Sequence, residues 1–193
     1  DKEKQFLDTT IRDEEFTLVG YAAYRRDRSD GWGGVIIIIK KSLIVDPIFI
    51  SKSTEFLALK IETYQKPVII CAFYRPPKSK ATDLELMGND LKTLLQRYYN
   101  SPIWLGGDVN LPDIDWSNDY IVGHQYPKIL SETWLQLMND CNLEQFIDFP
   151  TRLYNCLDIL TTNNTSLVNS VMDILRISDH TSIPVIDILC HPL

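Results

Sequence analysis

The chain has 193 residues, of which 45% are apolar and 23% are charged, and its formal net charge is −7. This composition excludes a disordered chain, because so much apolar material is sufficient for the core of one globular domain. It also excludes a membrane-spanning helix, since no apolar run approaches the roughly 20 residues that a span requires.

The cysteines and the net charge bear on the compartment and on the partners. Cys71, Cys141, Cys156 and Cys190 are scattered and form no CxxC pair, which favours reduced thiols in an intracellular compartment, nuclear or cytoplasmic. A negative net charge is unusual for a protein that binds DNA, since phosphate neutralisation uses basic side chains. Two interpretations stay open: a local basic patch with bridging divalent cations, or no nucleic-acid partner.

The first predicted elements are β-strands. A glycine turn at residues 31–34 precedes the apolar, β-branched residues 35–39, a run that is too short for a helix and predicts a buried strand. Residues 56–62 and 68–74 predict a hairpin, with Gln65-Lys66-Pro67 as its turn. Pro76-Pro77 ends the second of these strands.

Two helices and further strands follow. Apolar positions recur at helical spacing over residues 82–99, where Thr82 and Glu85 have the pattern of a capping box, and again over residues 128–141. Further short strands are predicted at residues 102–107, 145–148, 156–161, 171–177 and 182–189. No repeat or linker is evident, so strands interleaved with helices predict one α/β layered domain over residues 1–193.

Polar residues lie where the predicted strands end, and one such group follows residues 102–107. Asp108 is suited to hold a nucleophilic water or a metal ion, and Asn110 to donate a hydrogen bond to a phosphoryl oxygen. Gly, Asp and Asn are also ordinary turn residues, so a plain turn stays open as the alternative.

A second polar group follows residues 171–177. Asp179 offers a carboxylate for a metal ion, and His180 offers an imidazole for proton transfer or phosphate contact. Asp158 lies within an apolar strand, where a buried acid needs a partner, and it is suited to fix the tautomer of His180. The alternatives are a surface loop for Asp179 and His180, and an outward-facing strand position for Asp158.

Two phosphate donors end the strand at residues 68–74. The phenol of Tyr74 and the guanidinium of Arg75 both hydrogen-bond phosphate oxygens in proteins. A partly exposed Tyr and a solvated Arg form the alternative interpretation.

In this order, the polar groups resemble the signatures of LINE-type endonucleases of the endonuclease/exonuclease/phosphatase family. The matching segments are Tyr74-Arg75-Pro76-Pro77, residues 107–116, Phe149-Pro150-Thr151-Arg152, residues 157–163 and Ser178-Asp179-His180. Upstream, Gly20-Tyr21, residues 24–28 and Gly33-Gly34-Val35 fit the same elements. Each segment is weakly specific, whereas the linked set is highly specific and spans essentially the whole chain.

The resemblance implies a fold and a chemistry. The fold is a four-layered α/β sandwich in which two packed mixed sheets are flanked by helices. The activity is hydrolysis of DNA phosphodiesters with Mg²⁺ or Mn²⁺. Asp108 would orient or deprotonate the attacking water, Asn110 would position the phosphate, and Asp179 would bind the metal.

The resemblance also implies roles for the remaining site residues. His180, held by Asp158, would stabilise the charge on the pentavalent phosphorus centre. Tyr74 would hydrogen-bond a phosphate oxygen or the leaving group. Arg75 and Thr151 are expected to contact the substrate, with support of the site's backbone as the other possibility for Thr151.

The match is incomplete at the start of the chain. The family's metal site also uses an Asn on the first strand and a Glu at the end of the second, where this chain has Lys4. Glu3 lies one residue out of register, so its side chain would point to the other face of a strand. We therefore expect a fragment or a natural truncation whose binding of Mg²⁺ is weakened.

Three functions stay open from these residues. The first is a DNA-nicking endonuclease, normally joined to a downstream reverse transcriptase. The second is a catalytically impaired remnant that binds nucleic acid or protein through the same scaffold. The third is a phosphatase that acts on a phosphorylated lipid or small molecule, against which the Leu-Pro-Asp-Ile-Asp-Trp run at residues 111–116 argues.

Overall fold

The computed structural model describes residues 12–13, 17–28, 33–175 and 182–188. Two helices and twelve strands occur in these ranges. The helices are α1 (Ala81–Arg97) and α2 (Lys128–Asp140), and the strands are β1 (Tyr21–Asp27), β2 (Gly34–Lys40), β3 (Val45–Ile50), β4 (Glu55–Ile61), β5 (Val68–Tyr74), β6 (Ile103–Asp108), β7 (Ile114–Asp115), β8 (Tyr120–Ile121), β9 (Glu144–Gln145), β10 (Asp158–Thr162), β11 (Val168–Leu175) and β12 (Ser182–Ile188).

The main element is a six-stranded mixed sheet with the strand order β3-β4-β5-β6-β10-β9. Strands β5 and β6 are parallel, while the other neighbours in this sheet are antiparallel. A parallel pair needs a long crossover connection, and α1 supplies it between β5 and β6. The predicted hairpin of β4 and β5 is confirmed.

The sheet is covered on both faces. Both helices pack on one face through a core that includes Phe73, Leu84 and Trp134. The β1–β2 hairpin covers the other face, where Ile37 contacts the same apolar cluster as Leu57. Strand β4 is buried over its first five residues because it lies beneath both covers. The layered α/β architecture predicted from the sequence is confirmed, and the described residues form its helical, main-sheet and hairpin layers.

Several boundaries differ from the predictions. Helix α1 begins after Lys80, and the Asp83 carboxylate accepts a hydrogen bond from the Lys80 backbone N–H at 2.9 Å. Asp83 therefore has the capping role predicted for Glu85, and Thr82 lies inside the helix. The strand predicted at residues 145–148 is reduced to the two residues of β9.

Two longer strands were not predicted. Strand β1 contains Arg25, Arg26 and Asp27, and all seven of its residues are half-buried, so no clear alternation marks it. Strand β3 is interrupted at Pro47, where its register with β4 shifts. Proline is tolerated at a bulge of an edge strand, and β3 is such an edge. Among the described residues, neither helix has the length and apolarity needed to cross a membrane.

Candidate active site

Four polar residues form a row across the main sheet, at the end of the sheet where β4 and β10 begin and where β5 and β6 end. Glu55 is paired with Tyr74, Tyr74 with Asp108, and Asp108 with Asp158. Directly paired residues share one face of a sheet, and neighbouring strands lie about 4.8 Å apart. The sheet therefore brings Tyr74, Asp108 and Asp158, three of the predicted site residues, into one row.

This row lies on the face covered by the β1–β2 hairpin. Side chains alternate along a strand, so Glu55 shares its face with Leu57 and Leu59. Both leucines are fully buried beneath the hairpin, and Tyr74 packs against the same cluster. The row is thus at the margin of an apolar layer, where water is partly excluded and charges interact more strongly.

The loop after β6 gives Asp108 its orientation. Its carboxylate Oδ1 accepts a hydrogen bond from the Asn110 backbone N–H at 2.8 Å. Asn110 has a φ of 49°, a left-handed conformation that Asn tolerates better than most residues. Its side-chain amide donates to the Arg75 carbonyl at 2.9 Å and is buried. Asn110 therefore ties the β6 loop to the end of β5, and its predicted contact with phosphate stays a prediction.

Arg75 is buried beside the loop that follows β6. Its guanidinium is 1% exposed and donates to the carbonyls of Val109, Asn110 and Ser79 at 3.1–3.3 Å. It also lies over the Tyr126 ring, with its Cζ 5.6 Å from the ring centroid. These contacts engage the guanidinium with backbone carbonyls, and the predicted contact of Arg75 with substrate stays a prediction. The buried guanidinium instead supports the loop that carries Asp108.

Thr151 also supports the site from within the protein. It is fully buried, and its Oγ1 accepts hydrogen bonds from the backbone N–H groups of Leu157 and Asp158 at 3.1 and 3.2 Å. These bonds fix the start of β10, where Asp158 enters the row. Support of the backbone is one of the two predicted possibilities for Thr151, and its contact with substrate stays a prediction.

Replacement of Thr151 by Val should destabilise the start of β10. Valine keeps the shape but leaves two N–H groups without their acceptor, at a cost of about 1–3 kcal/mol for each buried group. We expect the free energy of unfolding in urea to fall by about 2–4 kcal/mol. Thr161→Val is the matched control, since Thr161 is equally buried but donates only one long bond, 3.4 Å, to Leu105. Equal losses in both variants would contradict this role for Thr151.

Tyr74 lies among charges of both signs. Burial raises the pKa of its phenol first, and the negative charges of Asp108 and Glu55 raise it further, while Arg28 and Arg152 act in the opposite direction. The phenol therefore keeps its proton throughout the neutral range and can act as a hydrogen-bond donor. Arg28 and Arg152 thus place two cationic groups near Tyr74, beside the carboxylates of Asp108 and Glu55.

Four residues of the prediction lie outside the described residues. They are Glu3, Lys4, Asp179 and His180. The described part of the chain contains no group of three acidic, His or Cys side chains arranged to hold a metal ion. Two carboxylates, Asp108 and Asp158, are nevertheless paired on neighbouring strands. Such a partial oxygen donor set suits Mg²⁺, which keeps several waters and is bound through one or two carboxylates together with substrate phosphates.

The Leu-Pro-Asp-Ile-Asp-Trp run is structural. The buried Asp113 carboxylate accepts from the backbone N–H groups of Gln125 and Tyr126 at 2.9 and 2.7 Å. The Trp116 indole N–H donates to the Cys156 carbonyl at 3.1 Å and so links this loop to the segment before β10. The motif therefore holds the surroundings of the row together.

Glu55 is the member of the row that the sequence did not predict. It precedes an apolar strand and belongs to none of the recognised segments, so no local pattern marks it. Its carboxylate is buried, with Oε1 3.4 Å from the Arg28 guanidinium. Only the pairing of β4 with β5 places Glu55 beside Tyr74.

Comparison with known proteins gives a family and a fold. A family model described as endonuclease-reverse transcriptase matches residues 68–184, more than half of the chain. No curated protein sequence matches.

Three solved structures illustrate the fold. The endonuclease domain of TRAS1, a telomere-specific non-LTR retrotransposon, has a TM-score of 0.68 at 15% identity, and the alignment covers 89% of this chain and 81% of that chain. The human Nocturnin catalytic domain has a TM-score of 0.57 at 14% identity, and the alignment covers 86% of this chain and 71% of that chain. A Bacteroides thetaiotaomicron mannosyl-6-phosphatase has a TM-score of 0.54 at 13% identity, and the alignment covers 89% of this chain and 78% of that chain. At such identities the likeness establishes the fold alone.

Proposed function

The chain belongs to the endonuclease-reverse transcriptase family, within the endonuclease/exonuclease/phosphatase hydrolases, and on that basis we propose that it is a metal-dependent endonuclease domain that nicks DNA. The observation that carries the proposal is the row of Tyr74, Asp108 and Asp158 at one edge of the sheet, inside the matched segment. These are the residue types that phosphodiester hydrolysis needs: a base, a carboxylate partner and a neutral hydrogen-bond donor.

Each residue has a role in the proposed reaction. Asp108, oriented by the Asn110 N–H, positions or deprotonates the water that attacks phosphorus. Tyr74 keeps its proton and donates a hydrogen bond to a phosphate oxygen or to the leaving oxygen. Asp158, whose backbone is fixed by Thr151, orients His180, which stabilises the charge that develops on the phosphoryl group.

A divalent cation completes the proposed chemistry. When bound, Mg²⁺ or Mn²⁺ neutralises phosphate charge and helps the 3′ oxygen to leave. Asp179 would hold the cation together with the paired carboxylates of Asp108 and Asp158. The natural partners are then DNA and a reverse transcriptase region in the full-length protein, as the name of the matching family suggests.

Relaxation of supercoiled plasmid tests the proposal. We expect conversion to nicked circles with Mg²⁺ or Mn²⁺, none with EDTA, and 3′ ends that a DNA polymerase extends without prior treatment. His180→Ala should lower the initial rate by about two orders of magnitude, as expected for loss of a group that stabilises charge in the transition state. Nicking at background level, equal in the wild type and in His180→Ala, would overturn the proposal and favour a module that only binds nucleic acid or protein.

A further inference from the structure

A cavity of about 240 Å³ lies next to Tyr74, on the side away from Asp108. We call it the Arg28 cavity, and the charged residues of its wall are Arg26, Arg28, Lys52, Glu55, Arg75 and Asp83. It lies between the row and the end of the β1–β2 hairpin. No role in the proposed hydrolysis has been given to Arg28, Lys52 or Glu55.

The cationic side chains of this cavity differ in their availability. Arg26 is engaged in the scaffold, because its Nε donates to the Ser51 carbonyl at 2.7 Å. Arg75 is engaged as well, since its guanidinium donates to backbone carbonyls. Arg28 is partly exposed, with 28% of its side chain accessible, and lies 3.4 Å from the buried Glu55 carboxylate. Lys52 is exposed. Glu55 thus positions one cation, and Lys52 supplies a second, exposed one.

The chemistry of this wall suits a phosphate group. Guanidinium and ammonium groups are charged donors that proteins commonly use to bind phosphate oxygens. Arg28 and Lys52 also place positive charge beside the row, where contact with a polyanion needs it in a chain with a net charge of −7. If Glu55 paired with Arg28 only to stabilise the fold, that pair would need no second cation, whereas Lys52 lies in the same wall.

The spacing suits a nucleic-acid strand. Glu55 and Asp108 are two strands apart in the sheet, which corresponds to about 10 Å at about 4.8 Å per strand. Successive nucleotides of one DNA strand rise by about 3.4 Å along the helix axis. Because successive phosphates also wind around that axis, they are further apart than this rise, and a phosphate in the cavity would lie within about three nucleotides of the scissile one.

We propose that the Arg28 cavity is a subsite for a non-scissile phosphate of the DNA strand that is cut, contacted by Arg28 and Lys52, with Glu55 as the residue that positions Arg28. The subsite rests on the proposed function, because it takes its register from a scissile phosphate at Asp108. Its contribution is to binding and not to the chemical step.

Fluorescence anisotropy with a labelled DNA duplex, without divalent metal and over a series of KCl concentrations, tests the subsite. Arg28→Gln and Lys52→Gln should each weaken binding about three- to tenfold. Each should also reduce the slope of log K against log salt by about 0.9, the value for one lost phosphate contact. In nicking assays both variants should raise KM and leave kcat near the wild-type value.

Lys66→Gln is the matched control. Lys66 is an exposed lysine in the turn between β4 and β5, at the opposite end of these strands from Glu55 and Tyr74. It should leave both affinity and salt slope unchanged. Circular dichroism checks folding, since Arg28→Gln removes the charge that faces the buried Glu55. If that variant does not fold, Lys52→Gln alone carries the test, because Lys52 is exposed.

The outcomes separate the subsite from the function. A wild-type protein that nicks, with Lys52→Gln equal to it in affinity and salt slope, overturns the subsite and leaves the function in place. If the wild type does not nick, while Lys52→Gln weakens DNA binding and Lys66→Gln does not, the proposed function is overturned and the subsite stands. A wild-type protein that does not bind DNA overturns both.

Discussion

Asp108→Asn should lower kcat/KM for plasmid nicking by a factor of about 10²–10⁴, the usual contribution of a positioned acid–base group. Asparagine has the same shape, and its Oδ1 can still accept the hydrogen bond from the Asn110 N–H. It lacks the negative charge that orients or deprotonates water and that attracts a cation. The loss should therefore appear in the chemical step, with thermal unfolding close to that of the wild type. Initial rates under saturating Mg²⁺ measure it.

Asp115→Asn is the matched control for this change. Asp115 ends the short strand β7 as Asp108 ends β6, but its carboxylate accepts hydrogen bonds from the Ser117 N–H and the Asn118 amide, away from the row. We expect nicking by this variant within about twofold of the wild type. A rate for Asp108→Asn within threefold of the wild type would remove Asp108 from the mechanism, because no carboxylate chemistry would then depend on it.

Gly107→Ala should prevent folding. An added Cβ would lie 1.7 Å from the Phe73 carbonyl oxygen and 2.7 Å from its carbon, both backbone atoms of the adjacent strand β5. Gly107 also has a φ of 148°, which side-chain-bearing residues rarely adopt. Relief would require β5 and β6 to separate at the pair Phe73 and Gly107. The cost should exceed about 4–5 kcal/mol, which is beyond the usual effect of a point mutation and approaches the total stability of many domains.

Gly106→Ala is the control one residue away. Its Cβ would meet the Leu160 Cδ1 at 3.5 Å and the Ile159 carbonyl at 3.7 Å, both ordinary contacts. We expect this variant to be folded, with a free energy of unfolding in urea within about 1 kcal/mol of the wild type. Yield of folded protein and urea denaturation compare the two variants. A Gly107→Ala protein as stable as Gly106→Ala would contradict the close approach of β5 and β6.

The periodicity of the chain predicted the elements with strong apolar patterns. The β4–β5 hairpin and both helices follow from runs whose burial the structure confirms. Strands β1 and β3 were missed because charged residues or a proline interrupt the pattern there. Their place is decided by the neighbouring strand, which supplies the hydrogen bonds that local sequence does not encode.

The candidate site shows the same division. Tyr74, Asp108 and Asp158 were predicted from segments that are individually weak and specific only as a linked set. The direction of Arg75 and the burial of Thr151 could not be predicted, because both depend on carbonyl and N–H groups contributed by distant loops. Glu55 was missed for the related reason that its neighbour Tyr74 lies across a strand pair.

The sequence by itself determined the family, the layered α/β class and which residue types are available for phosphodiester chemistry, because motifs and apolar periods are local properties of the chain. Only the tertiary structure decided which of these residues lie side by side on one face of the sheet. Pairing of β4, β5, β6 and β10 in register sets Glu55, Tyr74, Asp108 and Asp158 side by side. Shifting any one strand by a single residue would turn its side chain to the opposite face of the sheet.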